Sequence, residues 1–297
     1  MNFTIDTHDT RLSEILDGDQ ELEKVAGGFR FLEGPVWHPV EKTLIFSDIM
    51  GNGLFVKNQD DHISVFRENS YLANGNTYDK DGRLLTCEHG TSRVTRLEKD
   101  GTVSVLASHY QGKELNSPND IVVKSDGSIY FTDPNPGRME RVGIPRPQEL
   151  SFQGVYRIDP QGELTLLVDD FSKPNGLCFS NDENHLFVND TDHQHIRCFE
   201  VKDNGTLGSG SLWADLYGDE QGVADGMKIE SAGNIYSSGS GGIHVFAPDA
   251  TPLGVIRTPE VTANFTWGGE NLTDLLMTGT QSIYRLRVKI PGYRPLA

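Results

Sequence analysis

Ser117 to Asp133 reads S-P-N-D-I-V-V-K-S-D-G-S-I-Y-F-T-D, with the amide of Asn119 placed 11 residues before the middle of a short apolar strand at Tyr130. The pattern recurs five more times. Glu33 in E-G-P-V-W precedes L-I-F-S-D around Phe46, and Asn74 in A-N-G-N-T precedes R-L-L-T-C-E around Leu85. Asn175 in P-N-G-L-C precedes H-L-F-V-N-D around Phe187. Asp225 in A-D-G-M-K precedes N-I-Y-S-S around Tyr236, and Asn264 in A-N-F-T-W precedes D-L-L-M-T around Leu276. The strand centres lie 39, 45, 57, 49 and 40 residues apart. A period of that size built from short strands is the mark of a propeller with one repeat per blade. The fold expected is therefore all-β, a six-bladed β-propeller. Equivalent positions in the blades form a ring about the central channel, so the six oxygen-bearing side chains should converge there.

Each unit continues into hairpins. S-R-V-T-R-L runs through E-K-D-G into T-V-S-V-L, and G-V-Y-R-I runs through D-P-Q-G into E-L-T-L-L. Alternation of apolar and polar residues around such turns is strand chemistry. The sixth unit ends at S-I-Y-R-L-R-V-K-I-P-G without an outer strand. An open edge there would invite aggregation, so the segment around Leu22 to Val25 is expected to close the ring. Residues 1–20 read as an N-terminal extension, with a short helix near Thr10–Leu16, and residues 21–297 as a single propeller domain. The long 57-residue step reflects a Pro-, Gly- and Arg-rich insertion over residues 134–152, expected to form a loop over one face.

The chain has 297 residues, 36% of them hydrophobic, with 32 glycines and 14 prolines, which suits many strands and tight turns around an ample core. A net charge of −17 excludes nucleic acid and anionic membrane as partners and suits a protein that binds cations. No stretch is long and apolar enough to span a bilayer, and Met1–Asp6 shows no secretory leader. Three cysteines, Cys87, Cys178 and Cys198, lack metal-type spacing and read as reduced thiols. These features point to a cytoplasmic monomer or homodimer.

Two carboxylates, Glu33 and Asp225, share the ring with four amides. Buried carboxylates near one another are costly unless something balances them. A divalent cation does so, and the amide carbonyls add neutral oxygens. Oxygen ligands without His or Cys point to a hard ion. One Ca²⁺ is expected, because calcium tolerates uneven geometry; Mg²⁺, Mn²⁺ or Zn²⁺ are the alternatives.

The set F-L-E-G-P-V-W, S-P-N-D-I-V, K-P-N-G-L and V-A-D-G-M-K resembles the senescence-marker-protein/gluconolactonase/luciferin-regenerating-enzyme family over roughly residues 24–290. N-G-N-T-Y-D-K-D-G-R-L-L-T-C-E-H-G and Y-F-T-D-P are similar to its bacterial gluconolactonase branch. The resemblance implies a six-bladed propeller with one divalent metal on Glu33, Asn175 and Asp225, and Asn119 beside it. It implies hydrolysis of a small sugar lactone, with Asp225 as the catalytic residue that deprotonates or orients water. In the animal members the residue two before Asn119 is an arginine that meets substrate; Ser117 stands there in this chain. Glu88 and His89, which belong to the branch motif, and Asn74 are the other expected substrate contacts. Acids at strand ends, Asp48, Asp133 and Asp190, are expected to tie turns, and His193 and His195 to be loop histidines. No G-x-S-x-G serine-esterase motif is present. The rival readings are a diisopropyl-fluorophosphatase-like phosphotriesterase and a non-catalytic calcium-binding propeller.

Overall fold

The computed structural model describes residues 3–18 and 20–293. Six antiparallel sheets follow one another along the chain, each with its first strand innermost. Blade one comprises Leu32–His38, Thr43–Asp48, Gly53–Lys57 and Ile63–Glu68, and blade two Ala73–Tyr78, Leu84–Glu88, Arg93–Leu97 and Val103–Ala107. Blade three comprises Ile121–Val123, Ile129–Asp133, Gln153–Ile158 and Leu164–Phe171, and blade four Pro174–Phe179, His185–Asp190, His195–Glu200 and Ser211–Asp215. Blade five holds Met227–Ile229, Ile235–Gly239, Gly242–Phe246 and Pro252–Arg257, and blade six Thr262–Gly268, Asp274–Gly279 and Ser282–Arg287.

The missing fourth strand of blade six is Glu23–Gly27, which pairs antiparallel with Ser282–Arg287, Glu23 opposite Arg285 and Gly27 opposite Ser282. The ring thus closes non-covalently between the two ends of the chain. Arg285 strengthens the seam by pairing with Glu23 at 2.7 Å and with Asp61 of blade one at 3.2 Å. The residues before that strand are also built in. Thr4–Thr7 adds a fifth strand to blade five, with Thr4 opposite Arg257. The one-turn helix Leu12–Ile15 buries Leu12, Ile15 and Leu16 against the apolar core shared by blades five and six. The apolar core lies between neighbouring sheets, where buried residues such as Phe46, Tyr130, Tyr156, Tyr236 and Phe265 face one another. Cys87 and Cys178 are buried free thiols, consistent with their strand positions.

The inner strands are irregular at their first residues. Pairing skips residues between Glu33 and Val36, Ala73 and Asn76, Pro174 and Leu177, and Thr262 and Asn264. In blades three and five the strand starts only after Asn119 and Asp225. Such breaks re-aim side chains and free backbone groups, and here neighbouring blades use them. Gly75 N–H donates to Asn119 O at 2.8 Å, Gly176 N–H to Asp225 O at 3.0 Å and Gly226 N–H to Ala263 O at 2.8 Å. Ser47 Oγ donates to Asn74 O at 2.6 Å and Thr132 Oγ1 to Asn175 O at 2.8 Å. This belt explains the glycine after most ring residues. A Cβ at Gly75 would lie 2.3 Å from Asn119 O, and one at Gly176 2.1 Å from Asp225 O.

Candidate metal centre and substrate site

The belt carries the six predicted side chains around the channel, but only some present free oxygen. Glu33 is buried; its Oε2 accepts from Gly34 N–H at 2.6 Å and from Asn264 Nδ2 at 3.0 Å. Its Oε1 is buried with no partner among the described residues. Asp225 is half-buried and close enough to Glu33 for the two carboxyls to repel one another when ionised. Burial, then Glu33, then Asp120 push the Asp225 carboxyl well above its ordinary range. Burial first, with Asp120 adding, raises Glu33 as well. Asn175 donates from Nδ2 to Thr191 Oγ1 at 3.1 Å, so its carbonyl oxygen is the end left to the channel.

Asn264 behaves differently from the others. Its Nδ2 supports Glu33 and its Oδ1 accepts from Phe265 N–H at 2.9 Å, so both ends of the amide are already used. Asn119 is buried at the wall, held through its backbone to Thr132 O at 2.8 Å, and its amide makes no hydrogen bond among the described residues. Asn74 is buried and donates from Nδ2 to His89 Nε2 at 3.0 Å, while its Oδ1 has no partner among the described residues. An unpaired buried acceptor costs about 1–3 kcal/mol, so Glu33 Oε1 and Asn74 Oδ1 mark places for a ligand.

Asp120 and Lys228 also belong to this centre, although the spacing of the repeat does not single them out. Asp120 Oδ2 lies 3.3 Å from Lys228 Nζ, and its Oδ1 accepts from Ile121 N–H at 2.9 Å. Fully ionised, these three carboxylates would face one ammonium with two negative charges left over, a state that burial and mutual repulsion oppose unless a counter-charge is supplied. A divalent cation matches that remainder, and the donor set of carboxylate and amide oxygens suits a hard one. Both residues stand inside motifs already quoted, P-N-D-I-V and A-D-G-M-K, Asp120 one residue after Asn119 and Lys228 three after Asp225.

The remaining expected residues divide between channel and scaffold. His89 is buried, and its Nδ1 lies 3.0 Å from Val142 O. Burial, aided by the charge of Arg146, holds its imidazole down to about 4, so the ring is neutral near pH 7. Glu88 is engaged by scaffold groups: Arg93 Nε at 2.6 Å and Thr91 Oγ1 at 2.7 Å meet Oε2, while Thr95 Oγ1 at 3.1 Å and Arg67 Nη2 of blade one at 3.4 Å meet Oε1. The strand-end acids hold turns. Asp48 takes the N–H groups of Arg30, Phe31 and Gly51, and Asp133 those of Asn116 and Ser117. Asp190 takes those of Ser172 and Lys173 and also faces His193 Nδ1 at 3.0 Å. The His193 and His195 rings stack 5.4 Å apart at that rim. Ser117 is buried and secures the insertion, donating to Pro134 O at 2.6 Å and accepting from Gly137 N–H at 2.9 Å.

A cavity of about 220 Å³ lies at the other end of the channel, walled by Trp37, Tyr78, Val123, Phe179, Ile229 and Trp267. Most of these residues sit four places beyond a ring residue on the same strand, roughly 13 Å along it. Its walls carry no carboxylate pair, so this hollow is not where the charge of the ring would be used.

A family model for the SMP-30/Gluconolactonase/LRE-like region matches residues 31–281, and the chain belongs to that family. It is 32% identical over 304 residues to the gluconolactonase of Zymomonas mobilis, covering 95% of this chain and 85% of the relative. Among solved structures, a putative gluconolactonase is similar with a TM-score of 0.91 and 30% identity, covering 98% of this chain and 100% of that one. A gluconolactonase from Xanthomonas campestris, described as important in glucose secondary metabolic pathways, is similar with a TM-score of 0.88 and 34% identity over 96% of this chain and 94% of that one. Among the described residues no helix is long and apolar enough to cross a membrane.

Proposed function

We propose that this protein hydrolyses a sugar lactone, glucono-1,5-lactone to gluconate, with one divalent cation, Ca²⁺, held by Glu33, Asn175 and Asp225. The observation that carries the reading is the cluster of three carboxylates against one ammonium around the unpartnered Glu33 Oε1, in a chain whose similar relatives are gluconolactonases. When bound, the cation supplies positive charge that polarises the lactone carbonyl and stabilises the oxyanion.

The rest falls to the chain's own residues. Asp225 is the more exposed acid of the pair, and we assign the attacking water to it. It orients that water and takes up its proton as the oxygen bonds to the carbonyl carbon. The ring C–O bond then breaks, and the proton passes to the departing oxygen, which becomes a hydroxyl of the open-chain acid. Burial and Glu33 make Asp225 a stronger base. Glu33 stays fixed by Gly34 and Asn264. Asn119 and Asn74 offer amide groups to the hydroxyls, which need partners once withdrawn from water. Glu88 is assigned to the scaffold because Arg93, Thr95 and Arg67 already satisfy it.

The test is a lactone panel followed by pH-stat on metal-stripped protein with metals added back, subtracting spontaneous ring opening. Calcium should restore turnover of gluconolactone, and chelation should abolish the enzymatic part. A clear preference for fluorophosphates over every sugar lactone would move the chain to the phosphotriesterase reading. Calcium binding without turnover of either would make it a binding protein.

A further inference from the structure

The orientation of Asn74 follows from its neighbours. His89 lies between Asn74 Nδ2 at 3.0 Å from its Nε2 and Val142 O at 3.0 Å from its Nδ1. A backbone carbonyl can only accept, so Nδ1 carries the proton. In a neutral ring Nε2 is then an acceptor, and the Asn74 amide must present its NH₂ to it. The opposite amide orientation would set two acceptors against each other. Asn74 Oδ1 is therefore held away from His89, buried and without a partner among the described residues.

Val142 belongs to the 134–152 insertion, which is locked onto this part of the channel. Arg146 Nη2 donates to His89 O at 3.1 Å, and Arg138 Nε to Asn116 O at 2.8 Å. Gly137 packs so closely that a Cβ there would fall 2.5 Å from Ser117 Cβ and 2.7 Å from His89 Cβ. The proposed cation ligands come from blades one, four and five. Asn74 and Asn119 come from blades two and three, on the side the insertion covers.

We infer that His89 is a positioning residue through which the insertion fixes the Asn74 carbonyl as the acceptor for a hydroxyl of a polyhydroxylated lactone. The choice of ligand rests on the lactonase reading; the relay from Val142 through His89 to Asn74 rests on geometry alone.

Long-range ¹H–¹⁵N NMR of the full chain, with His89 assigned by loss of its signal in His89→Asn, tests the relay directly. The Nδ1–H tautomer is expected, and the Nε2–H tautomer overturns it. Kinetics test the ligand. His89→Gln keeps an acceptor for Asn74, whereas His89→Asn keeps only the donor to Val142. KM for gluconolactone should rise about tenfold in His89→Asn and stay within about twofold in His89→Gln, with kcat changed less than KM. Calcium affinity by titration calorimetry should match the wild type in both. An unchanged KM in His89→Asn, or an equal loss in both variants, overturns the positioning role. Weakened calcium binding overturns the hydroxyl assignment by placing Asn74 on the cation. If the wild type turns over no lactone, the reaction reading fails while the tautomer still decides the relay.

Discussion

The two ends of the channel are made by the same six blades and differ in chemistry, with Lys228 reaching from the apolar end to the acids. At the ring end the strands begin with broken pairing, buried acids and two acceptors without partners. Three or four residues on, the same blades present Trp37, Tyr78, Val123, Phe179, Ile229 and Trp267 around a mostly apolar hollow. An apolar collar is what folding alone favours. Clustered carboxylates oppose folding until something compensates them. Function is therefore read from the end that costs stability.

The largest effect should come from breaking the charged end. Glu33→Gln and Asp225→Asn should each lower turnover by about 10³-fold or more and reduce bound metal measured by elemental analysis. In chelator the sign should reverse. Removing one of the repelling acids should raise the melting temperature of the metal-free protein above the wild type's, while added calcium should stabilise the wild type more than either variant. Full metal occupancy and turnover in both variants would defeat the reading of the ring. Asp225→Asn that keeps its metal but loses turnover would support the base role.

Next in size is the closure that holds both ends in register. Deleting residues 1–26 removes the outer strand of blade six, the fifth strand of blade five and the helix Leu12–Ile15. The truncated chain should aggregate or lose cooperative melting, as followed by calorimetry and light scattering. A truncated protein that melts like the full chain would show that the seam is dispensable.

Breaking the apolar end should separate stability from function. Trp267 is buried in the core of blades five and six, so Trp267→Ala should cost about 3–5 kcal/mol in urea unfolding. Its calcium affinity and kcat should remain near wild type. A specific loss of turnover with little loss of stability would mean that the apolar hollow participates in the reaction.

The smallest effect is a pH dependence at the seam. Glu260 accepts from Ser282 Oγ, Gln281 N–H at 2.6 Å and Tyr284 OH at 3.0 Å. Burial alone would raise its pKa, but these bonds outweigh it and hold the carboxyl below its ordinary value. A lowered native pKa contributes stability above the unfolded value near 4.5 that is lost as pH falls through the native one. Glu260→Gln should flatten the fall in melting temperature below about pH 4.5 and leave the neutral-pH metal affinity unchanged.

Much of this was legible in one dimension because a propeller repeats. The spacing from ring residue to strand centre located every blade, and the incomplete sixth unit pointed to a closing strand near Leu22 to Val25, found at Glu23–Gly27. The ring residues stand out because each lies at or just before the start of an inner strand. Their roles were less legible. Asn264 looks like Asn175 in sequence, yet its amide is consumed by Glu33 and Phe265 N–H. Glu88 looked like a channel residue by its motif and is enclosed by Arg93, Thr91 and Thr95. Asp120 falls outside the repeated spacing, and only its meeting with Lys228, Glu33 and Asp225 from other blades places it in the centre.

The sequence by itself determined the blade count, the need for closure and the presence of paired acids among amides, because these depend on periodicity, turn chemistry and composition along the chain. Tertiary structure alone decided which oxygens remain free. It paired Asp120 with Lys228, placed Thr4–Thr7 on blade five and set Val142 against His89. Those outcomes depend on groups from different blades meeting around a closed ring, where a carbonyl, an amide or a carboxylate is available only if no neighbour has already claimed it.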